Sequence, residues 1–129
     1  MGATTTPKVK GLDASYYTVK DLAKQTKFYT DLLGFEPTLA VPDFVAEWTF
    51  PGGGATFGLY KSSTGESSGS GVMFAVDDVA AAVAECKARG VKFGDDGKIE
   101  DTPVCHMAFG SDPEGLDFIL HHRKDGSVG

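Results

Sequence analysis

In several short segments of the chain, apolar residues occupy every second position, and the residues between them are mostly polar. Near the C-terminus, Phe118 and Leu120 alternate with Asp117, Ile119 and His121. This alternation predicts strands with two different faces. Together with the content of β-branched and aromatic residues, it predicts strands over residues 15–19, 38–41, 46–50, 56–60, 72–76, 91–93, 104–109 and 116–121.

Two other segments carry apolar residues at helical spacing. Asp21 is a suitable N-cap for the first of these segments, and Gly34 is a natural C-terminal stop. Asp77 or Asp78 caps the second segment, which ends at Gly90. The predicted order is a strand, a helix and three strands, and this order occurs twice.

The two halves also match residue by residue. Val19 aligns with Val76, and Phe57 aligns with Phe118. The second copy is four residues longer, because 42 positions separate Val76 from Phe118 and 38 separate Val19 from Phe57. The chain is therefore predicted to be an α+β protein built from two tandem βαβββ modules, which together form one structural domain.

Module boundaries follow from composition. The first module is predicted to span residues 11–60 and the second to span residues 71–123. A flexible Gly/Ser-rich connector joins them over residues 61–70. Residues 1–10 are predicted to be a disordered leader, and residues 124–129 a disordered tail.

Charge and cysteine content narrow the class of protein. The net charge of −6 argues against a nucleic-acid partner, because phosphate binding requires clustered Lys and Arg. No apolar run is long enough to cross a membrane. Two cysteines make no disulfide framework, so a reduced, cytoplasmic protein is predicted.

Motifs in both halves resemble those of the vicinal oxygen chelate superfamily, which includes glyoxalase I, bleomycin-resistance proteins and extradiol dioxygenases. The motifs are Tyr-Thr-Val-Lys-Asp-Leu at 17–22, Leu-Leu-Gly-Phe at 32–35, Phe-Ala-Val-Asp-Asp-Val at 74–79 and Asp-Pro-Glu-Gly at 112–115. The resemblance implies that the strands of the two modules curl around a cavity, with the helices on the outer face. It also implies a homodimer that binds a small molecule.

Strand alternation then assigns the two faces. Eight apolar residues are predicted to pack under the helices: Tyr17, Val19, Phe57, Leu59, Phe74, Val76, Phe118 and Leu120. The residues predicted to contact a ligand on the opposite face are Tyr16, Thr18, Gly58, Tyr60, Met73, Cys105, Met107, Phe109, Asp117, Ile119 and His121. Trp48 is included with them, although packing in the interior or against a partner subunit explains it equally well.

The resemblance also places the metal ligands that the family's metal-dependent enzymes carry. The four corresponding positions are Ala14, Gly58, Gly71 and Ile119, none of which has a side-chain donor atom. A divalent ion needs three or four N, O or S ligands. We therefore predict that the usual metal site is absent and that no cofactor is bound.

Two functions remain open from the sequence. One is a metal-free protein that binds or sequesters a hydrophobic or aromatic compound. The other is a glyoxalase-like isomerase or lyase, or a dioxygenase-like enzyme. Such an enzyme would use either His121 as an acid or base, or a rebuilt metal site formed by His121, Asp117 and Glu47.

Overall fold

A computed structural model describes residues 7–52 and 55–129 of the chain. Most of the predicted leader, residues 1–6, lies outside the described residues. The described part contains nine strands and two α-helices. In chain order they are β1 (Ser15–Val19), α1 (Leu22–Leu33), β2 (Leu39–Val41), β3 (Val45–Thr49), β4 (Thr56–Lys61), β5 (Val72–Ala75), α2 (Val79–Ala88), β6 (Lys92–Phe93), β7 (Glu100–Asp101), β8 (Cys105–Ser111) and β9 (Asp117–Arg123).

The strands form two open sheets, one from each module. The first has the order β1-β4-β3-β2, and the second has the order β5-β9-β8-β6, with β7 also paired to β8. The outer pairs β1–β4 and β5–β9 are parallel, and the other pairs are antiparallel. Tyr16 lies opposite Gly58 in the first sheet, and Met73 lies opposite Ile119 in the second. These pairs are equivalent in the internal repeat, so the predicted α+β duplication is confirmed. The sheets do not close into a barrel.

The predicted capping residues delimit both helices. The Asp21 carboxylate accepts a hydrogen bond from the backbone N–H of Lys24 at 3.0 Å, and Gly34 ends α1 with φ of 86°. Asp78, one of the two candidates, caps α2 by accepting from the N–H of Ala81 at 3.0 Å. Local capping chemistry therefore sets the helix ends as the sequence predicted.

One face of each sheet is buried under the helices. Seven of the eight residues predicted for this face are fully buried, and Val76 is partly buried. Tyr29 of α1 lies at the centre, with its ring 5.0 Å from that of Phe57 and 6.5 Å from that of Phe118. A single core therefore spans both modules.

Hydrogen bonds from α1 reach the turn between β8 and β9. The buried Asp112 carboxylate accepts from Gln25 Nε2 at 2.7 Å and from the Tyr29 hydroxyl at 2.8 Å. Glu114 accepts from the backbone N–H groups of Lys20 and Asp21 at the start of the helix. The second module therefore holds the helix of the first in place.

Tyr17 joins the two sheets through its hydroxyl group. The hydroxyl accepts from the backbone N–H of Val72 at 3.0 Å and donates to the carbonyl of Asp117. It thus lies between the first residues of β5 and β9. Phe74, which is equivalent to Tyr17 in the repeat, has no hydroxyl and makes no such link.

The extra length of the second copy lies between α2 and β8. It contains a 3₁₀ turn over Gly94–Gly97, which separates β6 from β7, and the sequence pattern indicated neither this turn nor β7. Asp95 and Asp96 have positive φ values of 48° and 55°. Aspartate tolerates this conformation better than β-branched or bulky residues do.

The connector is held by hydrogen bonds, although its composition predicted flexibility. The Ser62 hydroxyl accepts from the backbone N–H groups of Thr64, Gly65 and Glu66. Ser68 exchanges two backbone hydrogen bonds with Thr18 of β1.

Neither helix that the structure describes within residues 7–52 and 55–129 has the length and apolar character that a membrane span requires.

Candidate functional site

Each sheet leaves the face opposite the helices open to solvent. On the first sheet, the rings of Phe44, Tyr60 and Tyr16 form a row, with centroids 5.9 Å and 5.1 Å apart in edge-to-face contact. Tyr16, on the edge strand β1, is 59% exposed. Edge-to-face contact is a favoured aromatic arrangement, so the row is ordered without being buried.

Glu47 adds a carboxylate to this row. Its Oε2 accepts a hydrogen bond from the Tyr60 hydroxyl at 3.2 Å. Partial desolvation, and then the Glu47 charge, raise the pKa of Tyr60 above its ordinary value. Tyr60 therefore acts as a hydrogen-bond donor here and is poorly suited to act as a base.

Gly58 lies among these side chains. A Cβ atom at this position would lie 3.4 Å from Glu47 Cγ and 3.6 Å from both Tyr16 Cβ and Tyr60 Cε2. These are ordinary van der Waals distances, so an alanine would fit here. A longer side chain at this family metal position would project into the space beside the row.

The open face of the second sheet has a different character. Met73 and Phe109 lie on either side of Ile119 in the cross-strand register and are 52% and 41% exposed. Next to them, His121 lies between Ala75 and Met107 and is half-buried. This face presents thioether, aromatic and imidazole groups together.

Two of the predicted ligand contacts are buried in this structure. Trp48 is 0% exposed, stacks on Phe57 in the core and donates from Nε1 to the carbonyl of Phe35 at 3.0 Å. Cys105 is 6% exposed, and its Sγ lies 3.1 Å from Thr102 Oγ1. Trp48 therefore belongs to the helix side of the sheet, and Cys105 is a packed thiol.

The other predicted contacts divide by exposure. Thr18, Tyr60, Met107 and His121 are half-buried on the open faces, and Asp117 is exposed. Gly58 and Ile119 are buried by their neighbours and contribute shape to the surface. Four residues that the list did not include share the open face of the first sheet: Leu39, Val41, Phe44 and Glu47.

Alternation on the short strands β2 and β3 could have identified three of these additional residues, Leu39, Val41 and Glu47. Leu39 lies opposite Glu47, and Glu47 lies opposite Gly58, so the three share one face. The sequence places Leu39 and Val41 two apart, as a strand face requires.

The four family metal positions do not fit a metal ion. Ala14 and Gly71 precede β1 and β5, while Gly58 and Ile119 lie within β4 and β9, and none has a side-chain donor atom. The rebuilt site of His121, Asp117 and Glu47 is not assembled either. Within the described ranges, no three His, Cys, Asp or Glu side chains come together as metal ligands.

Two clefts lie on the helix side of the sheets. One has a volume of about 950 Å³ and runs between the C-terminal ends of α1 and α2, from Phe35 to Arg89. The other, of about 430 Å³, lies at the start of α2 beside His106 and His122. None of the predicted ligand contacts lines either cleft. The open faces are broad surfaces of the single chain.

Comparison with known proteins identifies the family. Residues 11–121 match the family model of the Glyoxalase/Bleomycin resistance protein/Dioxygenase superfamily. The chain belongs to this superfamily. No protein with a curated description matches the chain.

Solved structures of superfamily proteins share the fold. TnmS3, an antibiotic binding protein from Streptomyces sp. CB03234, superposes with a TM-score of 0.77 and 23% identity, covering 92% of this chain and 100% of TnmS3. A superfamily member from Sphaerobacter thermophilus DSM 20745 has a TM-score of 0.72 and 23% identity, covering 88% and 98%. Lactoylglutathione lyase from Agrobacterium tumefaciens has a TM-score of 0.71 and 16% identity, covering 88% and 94%. At these identities, the similarity establishes the fold alone.

Proposed function

We propose that this superfamily member binds a hydrophobic or aromatic small molecule on its open faces and needs no metal ion to do so. The observation that carries the proposal is the exposure of Tyr16, Met73 and Phe109 on the open faces of two sheets whose other faces are packed under the helices. Contiguous exposed apolar patches on a protein surface often mark binding sites.

The chemistry of the faces suggests the class of ligand. The aromatic row offers stacking area at little conformational cost. Glu47 and Asp117 supply carboxylates, and His121 supplies an imidazole. A flat ligand with apolar rings and a hydrogen-bond donor or a positive charge fits this combination, because the carboxylates accept hydrogen bonds only.

The fold similarity to TnmS3 supports this direction. That protein is described as an antibiotic binding protein. It shows that the same fold serves in binding, and an aromatic natural product is a reasonable first class of ligand to test here.

A second copy of the chain would enclose the ligand, and we propose a homodimer for this reason. In a single chain the open faces leave Tyr16, Phe44 and Met73 more than half exposed. Ligand pockets normally bury most of their ligand. Light scattering on the purified protein is expected to give the mass of a dimer.

An enzymatic alternative rests on His121. Its imidazole lies on the open face between the positions of Ala75 and Met107, where a bound compound would touch it. The superfamily includes enzymes, and lactoylglutathione lyase shares the fold. If a substrate is found, His121→Ala should abolish turnover while leaving ligand binding within about tenfold. Unchanged turnover would remove this alternative.

A thermal-shift screen tests the binding proposal. A ligand present at 100 times its Kd stabilises the folded state by about 2.7 kcal/mol, which is a clear shift for a chain of this size. Hits should lose at least about tenfold in affinity in Tyr16→Ala and Phe109→Ala, because truncation of an aromatic contact removes stacking energy.

Val128→Ala is the matched control, because Val128 is an exposed apolar residue outside both sheets. Equal losses in all three variants would show that binding does not use the open faces. A screen of aromatic antibiotics and metabolites that leaves Tm unchanged would count against the proposal.

A further inference from the structure

Two histidines form a pair on the outer side of the second sheet. His106 of β8 and His122 of β9 lie directly opposite each other in the antiparallel register. Both are half-buried. By strand alternation both lie on the helix side of the sheet, whereas His121 lies on the open face. Side chains opposite each other in such a pair have Cβ atoms about 4.5–5.5 Å apart.

Each ring is oriented by an oxygen atom on one of its nitrogens. His122 Nδ1 lies 3.0 Å from the carbonyl oxygen of Val76, which only accepts, so Nδ1 carries the proton. His106 Nε2 lies 3.3 Å from Asp101 Oδ1, which also accepts. In the neutral rings, Nε2 of His122 and Nδ1 of His106 therefore keep their lone pairs. This is the arrangement that metal-ligating histidines adopt in proteins.

The surroundings of the pair are acidic and accessible. The two rings line the cleft of about 430 Å³ together with Asp77, Asp78 and Ile99. Asp78 also caps α2. Lys124 Nζ lies 2.6 Å from Oδ1 of Asp101, the carboxylate that His106 contacts.

We propose that His106 and His122 form a two-imidazole site for a divalent transition-metal ion, with water completing the coordination. Imidazole suits Zn²⁺, Ni²⁺ and Cu²⁺, and Cu²⁺ binds most tightly in this series. The described residues provide no third ligand in place, so the site is a moderate-affinity one. A bound ion would tie β8 to β9 and, through Val76, to the segment that leads into α2. This site is separate from the open faces and does not depend on the proposed function.

The test uses the full chain without an affinity tag, dialysed against a chelator and titrated with Cu²⁺ and, separately, with Zn²⁺. We expect one equivalent of Cu²⁺ to bind, with two nitrogen ligands in its electron paramagnetic resonance spectrum. His106→Gln and His122→Gln should each weaken binding by about tenfold or more. His121→Gln is the matched control and should bind as the unaltered chain does, because its ring is on the opposite face.

Two results would overturn the proposal: equal binding by all three variants, or loss of binding in His121→Gln alone. Circular dichroism establishes that each variant is folded. His106→Gln provides a second variant if His122→Gln does not fold, because the His106 side chain is 42% exposed and its partner Asp101 is exposed as well. Asp101→Asn adds a positioning test, with a smaller loss of affinity and the same nitrogen signature.

Discussion

The two modules differ far more on their open faces than on their buried faces. Under the helices, Phe57 and Leu59 of the first sheet correspond to Phe118 and Leu120 of the second. On the open side, Tyr16 corresponds to Met73, Tyr60 to His121 and Glu47 to Phe109.

This difference separates two requirements. The core side must fill a fixed volume between sheet and helices, and interiors are packed as densely as organic crystals. The open side has no such volume to fill, so its residues are free to serve a ligand. Side chains on the open side therefore determine what the protein binds, and those on the core side determine whether it folds.

The largest expected effect is the difference in stability between two substitutions on opposite faces of the second sheet. Phe118→Ala is expected to lower the free energy of unfolding by about 3–5 kcal/mol, because it leaves a cavity in the shared core. Phe109→Ala, on the open face, should change it by no more than about 0.5 kcal/mol. Urea denaturation of both variants measures the two values. A loss in Phe109→Ala as large as that in Phe118→Ala would contradict the separation of roles.

Alkaline pH gives a second way to probe the shared core. Burial, and then the Asp112 carboxylate, raise the pKa of Tyr29 far above its ordinary value of 10.0. Above pH 10 the unfolded chain therefore releases the Tyr29 proton while the folded chain keeps it. The free energy of unfolding should accordingly fall by about 1.4 kcal/mol per pH unit because of Tyr29 alone.

Tyr29→Phe should flatten that dependence above pH 10, and Tyr16→Phe on the open face is the control. Denaturation at pH 9, 10 and 11 gives the slopes. The same slope in Tyr29→Phe as in the unaltered chain would show that other groups control the alkaline transition.

The last test concerns the Tyr17 hydroxyl, which joins the two sheets. Tyr17→Phe makes the first module match Phe74 of the second and removes the partner of both the Val72 N–H group and the Asp117 carbonyl. The expected loss is about 1–2 kcal/mol, because two hydrogen bonds of about 0.5–1.5 kcal/mol net are removed. Hydrogen exchange at the amide of Val72 should quicken in this variant. An unchanged exchange rate would mean that the hydroxyl does not hold the start of β5.

Much of the fold could be predicted because its signals are local. Asp21, Asp78 and Gly34 act within one helical turn, so their roles are visible in the sequence. Alternation in β1, β4, β5 and β9 assigned the buried faces in the same way.

The candidate site could be predicted only in part. Trp48 was misplaced because Val45, Ala46 and Trp48 of β3 are all buried, so the strand shows no clean alternation. Cys105 has the parity of the open face, but Thr102 from the preceding loop covers it. The burial of Trp48 depends on tertiary packing, and the Thr102 contact depends on the conformation of the loop. Neither leaves a periodic signal in the sequence.

The contacts between α1 and the turn from β8 to β9 have a consequence for how the chain can be divided. Gln25 and Tyr29 find their partner, Asp112, only in the second half of the sequence. A chain cut within residues 62–70 would yield two fragments, each with an uncovered core face and buried polar groups that have lost their partners. The halves are therefore complementary pieces of one folding unit. Each provides what the other lacks, which makes this fold a natural starting point for a split reporter.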